Sequence, residues 1–232
     1  MPETPDASSL EAALKLMAPI ISHEIRNPLA VIGNSSYFVK TKLVQLGTKD
    51  AKIEKHLGII AIELKRANDV LCEILAYARM KTLSLHPLPL NGLVTDGIND
   101  LEVPDSVRVR VSPAPENPIV LADAELVCAA IRHVVRNAVE AAGLTKDGGG
   151  VQVAIKVEDG KWGVVEVTDA GAGVPPEERE KLFTPFHTTR PRGIGLGLAF
   201  ARKVIESLDG RVEFVAPDGP GARFRLLLPK RP

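Results

Sequence analysis

The strongest constraint on the fold is an unbroken heptad pattern between residues 53 and 78. Apolar residues recur there at alternating steps of four and three, at Ile53, Leu57, Ile60, Leu64, Ala67, Leu71, Ile74 and Ala78. A repeat of this kind lines one side of an α-helix with apolar side chains, which pack against other helices as in a coiled coil. We therefore predict a long helix whose apolar side needs helical partners.

A first helix is predicted upstream of this one. Residues 8–11 read Ser-Ser-Leu-Glu, a capping box, and apolar residues then recur mostly three or four apart from Leu10 to Ile32. The sequence Leu-Gly-Thr at 46–48 supplies a helix stop and a turn. Two antiparallel helices joined near Gly47 leave much of each apolar stripe uncovered. We expect two chains to form a four-helix bundle, with packing of the hairpin onto the rest of its own chain as the alternative.

The residues from 83 to 90 separate two halves of different character. Leu83 to Pro89 reads Leu-Ser-Leu-His-Pro-Leu-Pro, and the two prolines interrupt the helical period. The predicted organisation is a helical hairpin at 1–82, a linker at 83–90 and a second domain at 91–232.

The second domain is predicted to be an α+β sandwich. Alternating patterns predict strands at 107–111, 151–157, 162–168, 211–215 and 222–228, and helical patterns predict helices at 123–142 and 197–208. The second and third strands should form a hairpin around Asp159 and Gly160. We expect a mixed, mostly antiparallel sheet with helices on one face.

Composition excludes several classes of function. The 29 lysines and arginines balance the 29 aspartates and glutamates, so the chain shows no nucleic-acid footprint. No apolar run approaches the roughly 18 to 20 residues needed to span a bilayer. The first residues also lack the basic and apolar blocks of a signal peptide. We expect a cytoplasmic protein with no membrane segment in this chain and no nucleic acid as partner.

His23 is the first candidate for chemistry. Ile21 belongs to the apolar stripe, so His23, about 200° further round the helix, should point to solvent. Glu24 could accept the proton from one imidazole nitrogen while the other nitrogen attacks phosphorus. Asn27 lies one turn on and shares the face of His23. Pro28 cannot donate a backbone hydrogen bond, so the helix should bend beside the histidine.

Glycine-rich sequence in the second half predicts a phosphate site. Asp169 ends an expected strand and begins the sequence Asp-Ala-Gly-Ala-Gly at 169–173. Residues 193–198 read Gly-Ile-Gly-Leu-Gly-Leu and open an expected helix, whose first free amides and positive dipole end can meet phosphates. The pattern is not of the Walker type, because Gly-x4-Gly-Lys-Ser/Thr is absent.

The string from His23 to Leu29, His-Glu-Ile-Arg-Asn-Pro-Leu, resembles the phosphoacceptor motif of the sensor histidine kinases of two-component systems. The resemblance extends over about residues 8 to 230. It implies a dimerisation and histidine-phosphotransfer hairpin followed by a catalytic ATP-binding domain of the gyrase and histidine-kinase type. It also implies that His23 is phosphorylated, that Glu24 is the general base, and that Asn27 positions water when the enzyme dephosphorylates its partner.

The same resemblance assigns residues to the nucleotide. It implies that Asn137 holds a magnesium ion against the triphosphate of ATP, that Asp169 accepts a hydrogen bond from the adenine amino group, and that 174–192 forms a lid fastened by Phe183 and Phe186. The residues that it places near the nucleotide are Gly171, Gly173, Thr188, Thr189, Arg190, Arg192, Gly193, Gly195, Gly197 and Leu198.

Three positions depart from the family pattern. His133 and Ala170 stand where asparagine is usual, and Ile194 stands where threonine is common. They leave open a dimeric phosphotransfer or scaffold protein with a weakened nucleotide pocket, and clamp-type ATPases share the ATP fold. The interpretation we favour is an ATP-dependent protein-histidine kinase. It would phosphorylate His23 from Mg-ATP, pass the phosphoryl group to an aspartate of a response regulator, and act in reverse as a phosphatase.

Overall fold

The computed structural model describes residues 7–79, 83–99, 101–145, 149–190, 193–217 and 219–231, apart from the side chains of residues 7–24, 69, 73, 76 and 79. The chain divides into two compact units, residues 1–81 and residues 82–232. The capping box at 8–11 lies outside the described side chains.

The first unit is a helical hairpin, as the sequence predicts. Helix α1 spans Ala7–Gln45, helix α2 spans Ala51–Arg79, and the two pack against each other. Gly47, at φ 64°, forms the turn between them. The Asp50 carboxylate accepts hydrogen bonds from the amides of residues 52 and 53, so Asp50 caps the start of α2.

The apolar stripe of α2 is covered unevenly. Leu57, Leu64 and Ala67 are half-buried, and the two helices approach closely where a Cβ on Gly33 would lie 3.7 Å from Leu64 Cδ1. Many large apolar side chains of the hairpin are nevertheless exposed, namely Ile25, Val31, Ile32, Tyr37, Phe38, Val39, Val44, Leu46, Ile53, Ile59, Ile60 and Ile62. Such an extended apolar surface is typical of a face that another helix covers.

The second unit has the α+β architecture that the sequence predicts. Its elements in chain order are β1 His86–Pro89, α3 Leu90–Asn99, β2 Arg108–Ser112, β3 Ile119–Ala122, α4 Ala124–Gly143, β4 Gly150–Glu158, β5 Trp162–Asp169, a 3-10 helix Pro176–Lys181, α5 Gly197–Glu206, β6 Arg211–Val215 and β7 Arg223–Pro229.

The main sheet has five strands in the order β2-β4-β5-β7-β6. Strand β2 runs parallel to β4, and the other neighbours are antiparallel. Helix α4 packs on β4 and β5, and α5 packs on β6 and β7. The apolar side of α4, which includes Val127, Ile131, Val134 and Ala138, is buried as its spacing predicts. The helices and the sheet thereby share one apolar core.

A second, two-stranded sheet takes one of its strands from the segment that the sequence interpretation treated as a linker. Strand β1 pairs antiparallel with β3, from His86 opposite Ala122 to Pro89 opposite Ile119, and α3 begins at the next residue. Pro87 and Pro89 are tolerated because a two-stranded sheet leaves outward positions that need no backbone donor. Residues 86–89 therefore belong to the second unit. The sequence did not predict this strand for two reasons. Its prolines disfavour a strand, and its partner β3 lies far along the chain.

Candidate nucleotide site and phosphoacceptor helix

The phosphoacceptor string lies within α1. His23 and Glu24 fall outside the described side chains, so the outward direction of His23 stays a prediction. Asn27 and Pro28 are exposed, and α1 continues past the proline to Gln45. Arg26 donates a hydrogen bond to Cys72 Sγ on α2 at 3.5 Å, which ties this part of α1 to its neighbour.

Asp169 is built into the end of β5, where its residue is only 4% exposed. Its Oδ1 atom accepts hydrogen bonds from the amide of Gly171 at 2.8 Å and from the amide of Ala222 at 3.3 Å. Burial raises the pKa of this carboxyl, while the two amides and the positive charge of Arg190 act in the opposite direction. Both bonds end on Oδ1, so among the described residues Oδ2 has no protein donor and can accept from a ligand.

Gly221 packs closely against the backbone of Asp169. The sequence interpretation did not indicate this glycine. Its φ of 104° is open to glycine, and a Cβ there would lie 1.8 Å from the Asp169 carbonyl oxygen. Gly173, which the sequence did indicate, packs in turn so that its Cβ would lie 2.8 Å from the Gly221 carbonyl oxygen. The available signal was the Gly-Pro-Gly-Ala run at 219–222 just before the last strand. This run indicates a contact with Asp169 only when β7 is known to pair with β5.

Helix α4 turns Asn137 and Glu140 toward the loop that carries Arg190. One Arg190 nitrogen donates to Asn137 Oδ1 at 2.7 Å, and another donates to the Asn137 backbone carbonyl at 3.0 Å. The same guanidinium forms an ion pair with the Glu140 carboxylate. The structure thus brings two of the predicted site residues, Asn137 and Arg190, into direct contact.

His133, on α4, packs against the start of α5. Its Nδ1 atom is 3.0 Å from a guanidinium nitrogen of Arg136, and its ring meets the Phe200 ring edge-on with centroids 5.2 Å apart. Burial, together with the charges of Arg136 and Arg132, lowers the pKa of His133 to about 3. Arginine can only donate, so Nδ1 accepts and the neutral ring carries its proton on Nε2. A Cβ on Gly197 would lie 3.2 Å from this Nδ1.

The segment expected to form a lid is braced internally. His187 Nε2 and Glu178 Oε2 lie 2.5 Å apart, which joins its two ends. Phe183 packs edge-on against Phe224 with centroids 6.4 Å apart, so it fastens the segment to the sheet as expected. Phe186 does not. It is 38% exposed and adopts a positive φ of 63°.

The glycine-rich loop closes this segment and opens α5. The Gly195 carbonyl accepts a hydrogen bond from the Phe186 amide at 2.9 Å, and a Cβ on Gly195, at φ 73°, would lie 2.4 Å from the His187 carbonyl oxygen. The N-cap residue of α5, Leu196, makes no capping side-chain hydrogen bond, so within the described part of the chain the first amides of the helix, at Gly197 and Leu198, have no side-chain cap. These amides can meet an anion.

The remaining predicted contacts are placed less directly. Thr188 Oγ1 accepts from the Arg190 amide at 3.1 Å, and a Cβ on Gly193 would lie 2.6 Å from that hydroxyl, so both shape the turn before Arg190. Thr189 is exposed, and within the described ranges no hydrogen bond joins it to the other predicted site residues. Arg192 lies outside the described part of the chain.

The oxygen donors fit a magnesium ion that arrives with phosphates. Within the described ranges no three His, Cys, Asp or Glu side chains gather into a metal site. Magnesium usually takes one or two protein oxygens together with substrate phosphates, and Asn137 Oδ1 offers one such oxygen.

Comparison with known proteins supports the fold and indicates the family. Residues 122–232 match the family described as histidine kinase-, DNA gyrase B-, and HSP90-like ATPase. The sensor histidine kinase ZraS of Escherichia coli O157:H7 is 30% identical over 221 residues, which cover 94% of this chain and 46% of ZraS. Sporulation kinase E of Bacillus subtilis strain 168 is 26% identical over 218 residues, or 93% of this chain and 28% of that kinase. This chain is a histidine kinase catalytic core.

Solved structures resemble this histidine kinase core over nearly its whole length. Full-length ShkA in complex with AMPPNP superposes with a TM-score of 0.72 at 25% identity, covering 92% of this chain and 45% of that one. Histidine kinase ThkA in complex with the response regulator TrrA gives a TM-score of 0.64 at 26% identity, covering 97% of this chain and 64% of that one. The core spans less than half of its curated relatives, as the 46% coverage of ZraS illustrates. No helix among the residues that the structure describes is both long and apolar enough to cross a membrane.

Proposed function

We propose that this core uses Mg-ATP to phosphorylate His23. The observation that carries the proposal is the setting of Asp169, a buried carboxylate with one oxygen bound by two backbone amides and the other without a protein donor among the described residues. This acceptor lies in the same domain as the uncapped start of α5. The chain also contains the complete His-Glu-Ile-Arg-Asn-Pro-Leu string.

Each end of the nucleotide has a matching group in the second unit. Asp169 Oδ2 suits the adenine amino group, because a carboxylate only accepts and that amine only donates. The amides of Gly197 and Leu198 and the guanidinium of Arg190 suit the phosphates. Asn137 Oδ1 suits magnesium, which would neutralise charge on the transferred group. The relative ShkA was solved in complex with AMPPNP, which supports this assignment.

The proposed transfer uses the first unit as acceptor. One imidazole nitrogen of His23 forms a bond to the γ-phosphorus, and the bond from that phosphorus to the bridging oxygen of ADP breaks. Glu24 accepts the proton from the other ring nitrogen, which keeps charge from building on the imidazole. Positioning and charge neutralisation supply most of the rate.

The phosphoryl group would then pass to a response regulator. A carboxylate oxygen of a regulator aspartate attacks the phosphorus, the bond to the histidine nitrogen breaks, and His23 is restored. Asn27, exposed on α1, would orient water for hydrolysis of the phosphoaspartate. The complex of ThkA with the response regulator TrrA supports this class of partner.

The proposed active form is a homodimer. The exposed apolar residues of the hairpin, among them Ile32 and Ile60, would be covered in a four-helix bundle of two chains. We also propose a cytoplasmic location, where a response regulator and ATP are both available.

The test is labelling with γ-labelled ATP and magnesium. Wild type should acquire label that is labile in acid and stable in base, and His23→Ala should acquire none while still binding a fluorescent ATP analogue. Asn27→Ala should retain labelling and lose the ability to dephosphorylate a response regulator. A wild type that binds ATP yet stays unlabelled would overturn the kinase proposal and leave a phosphotransfer or scaffold role.

A further inference from the structure

Arg190 occupies the oxygen that the proposed function reserves for magnesium. Its guanidinium donates to Asn137 Oδ1 at 2.7 Å and to the Asn137 carbonyl at 3.0 Å. A cation bound to this amide oxygen disfavours a second cation on it, because two positive charges within a few Å repel and one of the oxygen's lone pairs is already engaged. Arg190 and a metal ion therefore compete for Asn137.

The loop aims Arg190 at this position. The Arg190 amide donates to Thr188 Oγ1 at 3.1 Å, and the Gly193 amide donates to the Arg190 carbonyl at 3.2 Å. Gly193 permits this close approach because a Cβ there would lie 2.6 Å from the Thr188 hydroxyl and 3.3 Å from the Arg190 Cβ. The direction of the side chain is thus built into the backbone of the loop.

Glu140 supplies the charge that keeps Arg190 in place. It forms an ion pair with Arg190, and its other carboxylate oxygen lies 4.0 Å from Arg136 Nε one turn back on α4. Asn137 is neutral, so among these contacts only Glu140 attracts the guanidinium as a charge. Glu140 is 48% exposed at its side chain and can be changed without opening the core.

The phosphates of a bound nucleotide would offer Arg190 an alternative partner to Glu140. The positive charge of Arg190 acts on the Asp169 carboxyl and lowers a pKa that burial raises, so the guanidinium lies near enough to the proposed adenine acceptor to influence it. A triphosphate bound there would carry several negative charges and would compete with the single charge of Glu140 for Arg190.

We infer that Glu140 is a positioning residue that holds Arg190 on Asn137 until Mg-nucleotide displaces it. The inference rests on the proposed function. On binding, the guanidinium moves from the Glu140 carboxylate to the phosphates, and Asn137 Oδ1 passes to the metal. Binding of the metal and release of the loop are then one event, and part of the nucleotide affinity is used to break the Arg190–Glu140 pair.

The test compares Glu140→Gln with Glu206→Gln in the full chain. Glu206 is a matched control, since its side chain is also 48% exposed and pairs with an arginine, Arg202, but on α5 away from Asn137. Without nucleotide, amide hydrogen exchange at residues 187–190 should be faster in Glu140→Gln than in wild type. Affinity for a fluorescent ATP analogue should be about threefold tighter, the scale of one exposed ion pair. Glu206→Gln should match wild type in both measurements.

The magnesium dependence separates this role from a merely structural one. The gain in Glu140→Gln should be larger with magnesium than with a chelator, because only the metal uses Asn137 Oδ1. Unchanged exchange at 187–190, or weaker nucleotide binding in Glu140→Gln, would overturn the inference. A wild type that binds no ATP analogue at all would instead overturn the proposed function, since the exchange measurement tests the Arg190–Glu140 contact without any nucleotide.

Discussion

Gly221 lies so close to Asp169 that a Cβ on Gly221 would stand 1.8 Å from the Asp169 carbonyl oxygen. We predict that Gly221→Ala lowers both stability and nucleotide affinity. The methyl group must displace the end of β5, and a side chain at φ 104° adds about 1 to 3 kcal/mol of backbone strain. Because the next residue, Ala222, donates to Asp169 Oδ1, the carboxylate should move with the backbone. We expect at least about tenfold weaker binding of a fluorescent ATP analogue.

Gly219→Ala provides the matched control for this change. It lies two residues away in the same loop, and a Cβ there would meet nothing within 4 Å. Its melting temperature and nucleotide affinity should equal those of wild type. Equal behaviour of the two alanine variants would mean that Gly221 does not position Asp169.

Asp169→Asn should change which purine the site prefers. The asparagine oxygen can replace Oδ1 and keep the bonds from the Gly171 and Ala222 amides. The amide nitrogen then takes the place of Oδ2 and donates where the carboxylate accepted. Affinity for ATP should fall by about tenfold or more, while a triphosphate of a 6-oxo purine should lose less or gain. Competition binding with ATP and ITP measures the ratio, and an unchanged ratio would remove Asp169 from the adenine site.

The same substitution should make the fold more stable at neutral pH. The folded-state pKa of Asp169 is raised, chiefly by burial, so the folded chain holds this proton more tightly than the unfolded chain. Stability therefore falls as pH rises from the ordinary range of an aspartate through the raised value, so the cost is present at a pH above that ordinary range. Asp169→Asn removes this cost. Thermal unfolding at pH 7 should show an equal or higher melting temperature than wild type, and a clear fall would show that the charge is compensated in the fold.

Local sequence was sufficient to assign several candidate site residues to the kind of element on which they lie. Asp169 at a strand end, Asn137 on a helix face and glycines before α5 all follow from short motifs, and the structure places each of them on the expected kind of element. Residues whose role depends on pairing between distant segments were not found. Gly221 acts on Asp169 only because β7 lies beside β5, and β1 was hidden because its partner β3 is remote in sequence.

Side-chain direction is a second property that the sequence pattern did not predict. Phe183 and Phe186 both looked suited to fasten the loop, yet only Phe183 reaches the sheet. The positive φ of 63° at Phe186 turns the chain there, and Gly195 receives its amide hydrogen bond. Aromatic residues carry no sequence signal for a positive φ, so the pattern could not separate the two.

We predict that His133 lowers the free energy of unfolding of the protein in mild acid. Burial and the neighbouring arginines lower its folded-state pKa to about 3, whereas a histidine in an unfolded chain titrates near 6.5. Between these values the unfolded chain binds a proton that the folded chain does not, so stability falls as pH drops below about 6.5. His133→Asn, which keeps an acceptor for Arg136, should flatten this dependence. The measurement is the free energy of unfolding in urea from pH 7 to pH 5, and parallel curves for the two proteins would contradict the prediction.

Ile60→Lys should separate the proposed dimer without unfolding the hairpin. Ile60 belongs to the heptad stripe of α2 but is 38% exposed, so it lies where a second hairpin would pack. A lysine there would bring a charge into the bundle interior, which costs several kcal/mol unless the chains part. Ile62→Lys is the control, since Ile62 is 65% exposed and lies about 200° further round the helix, away from the stripe. Light scattering after size-exclusion chromatography should give a monomer for Ile60→Lys and a dimer for wild type and Ile62→Lys. A wild-type monomer, or a dimer that tolerates Ile60→Lys, would mean that the exposed stripe is not the contact between chains.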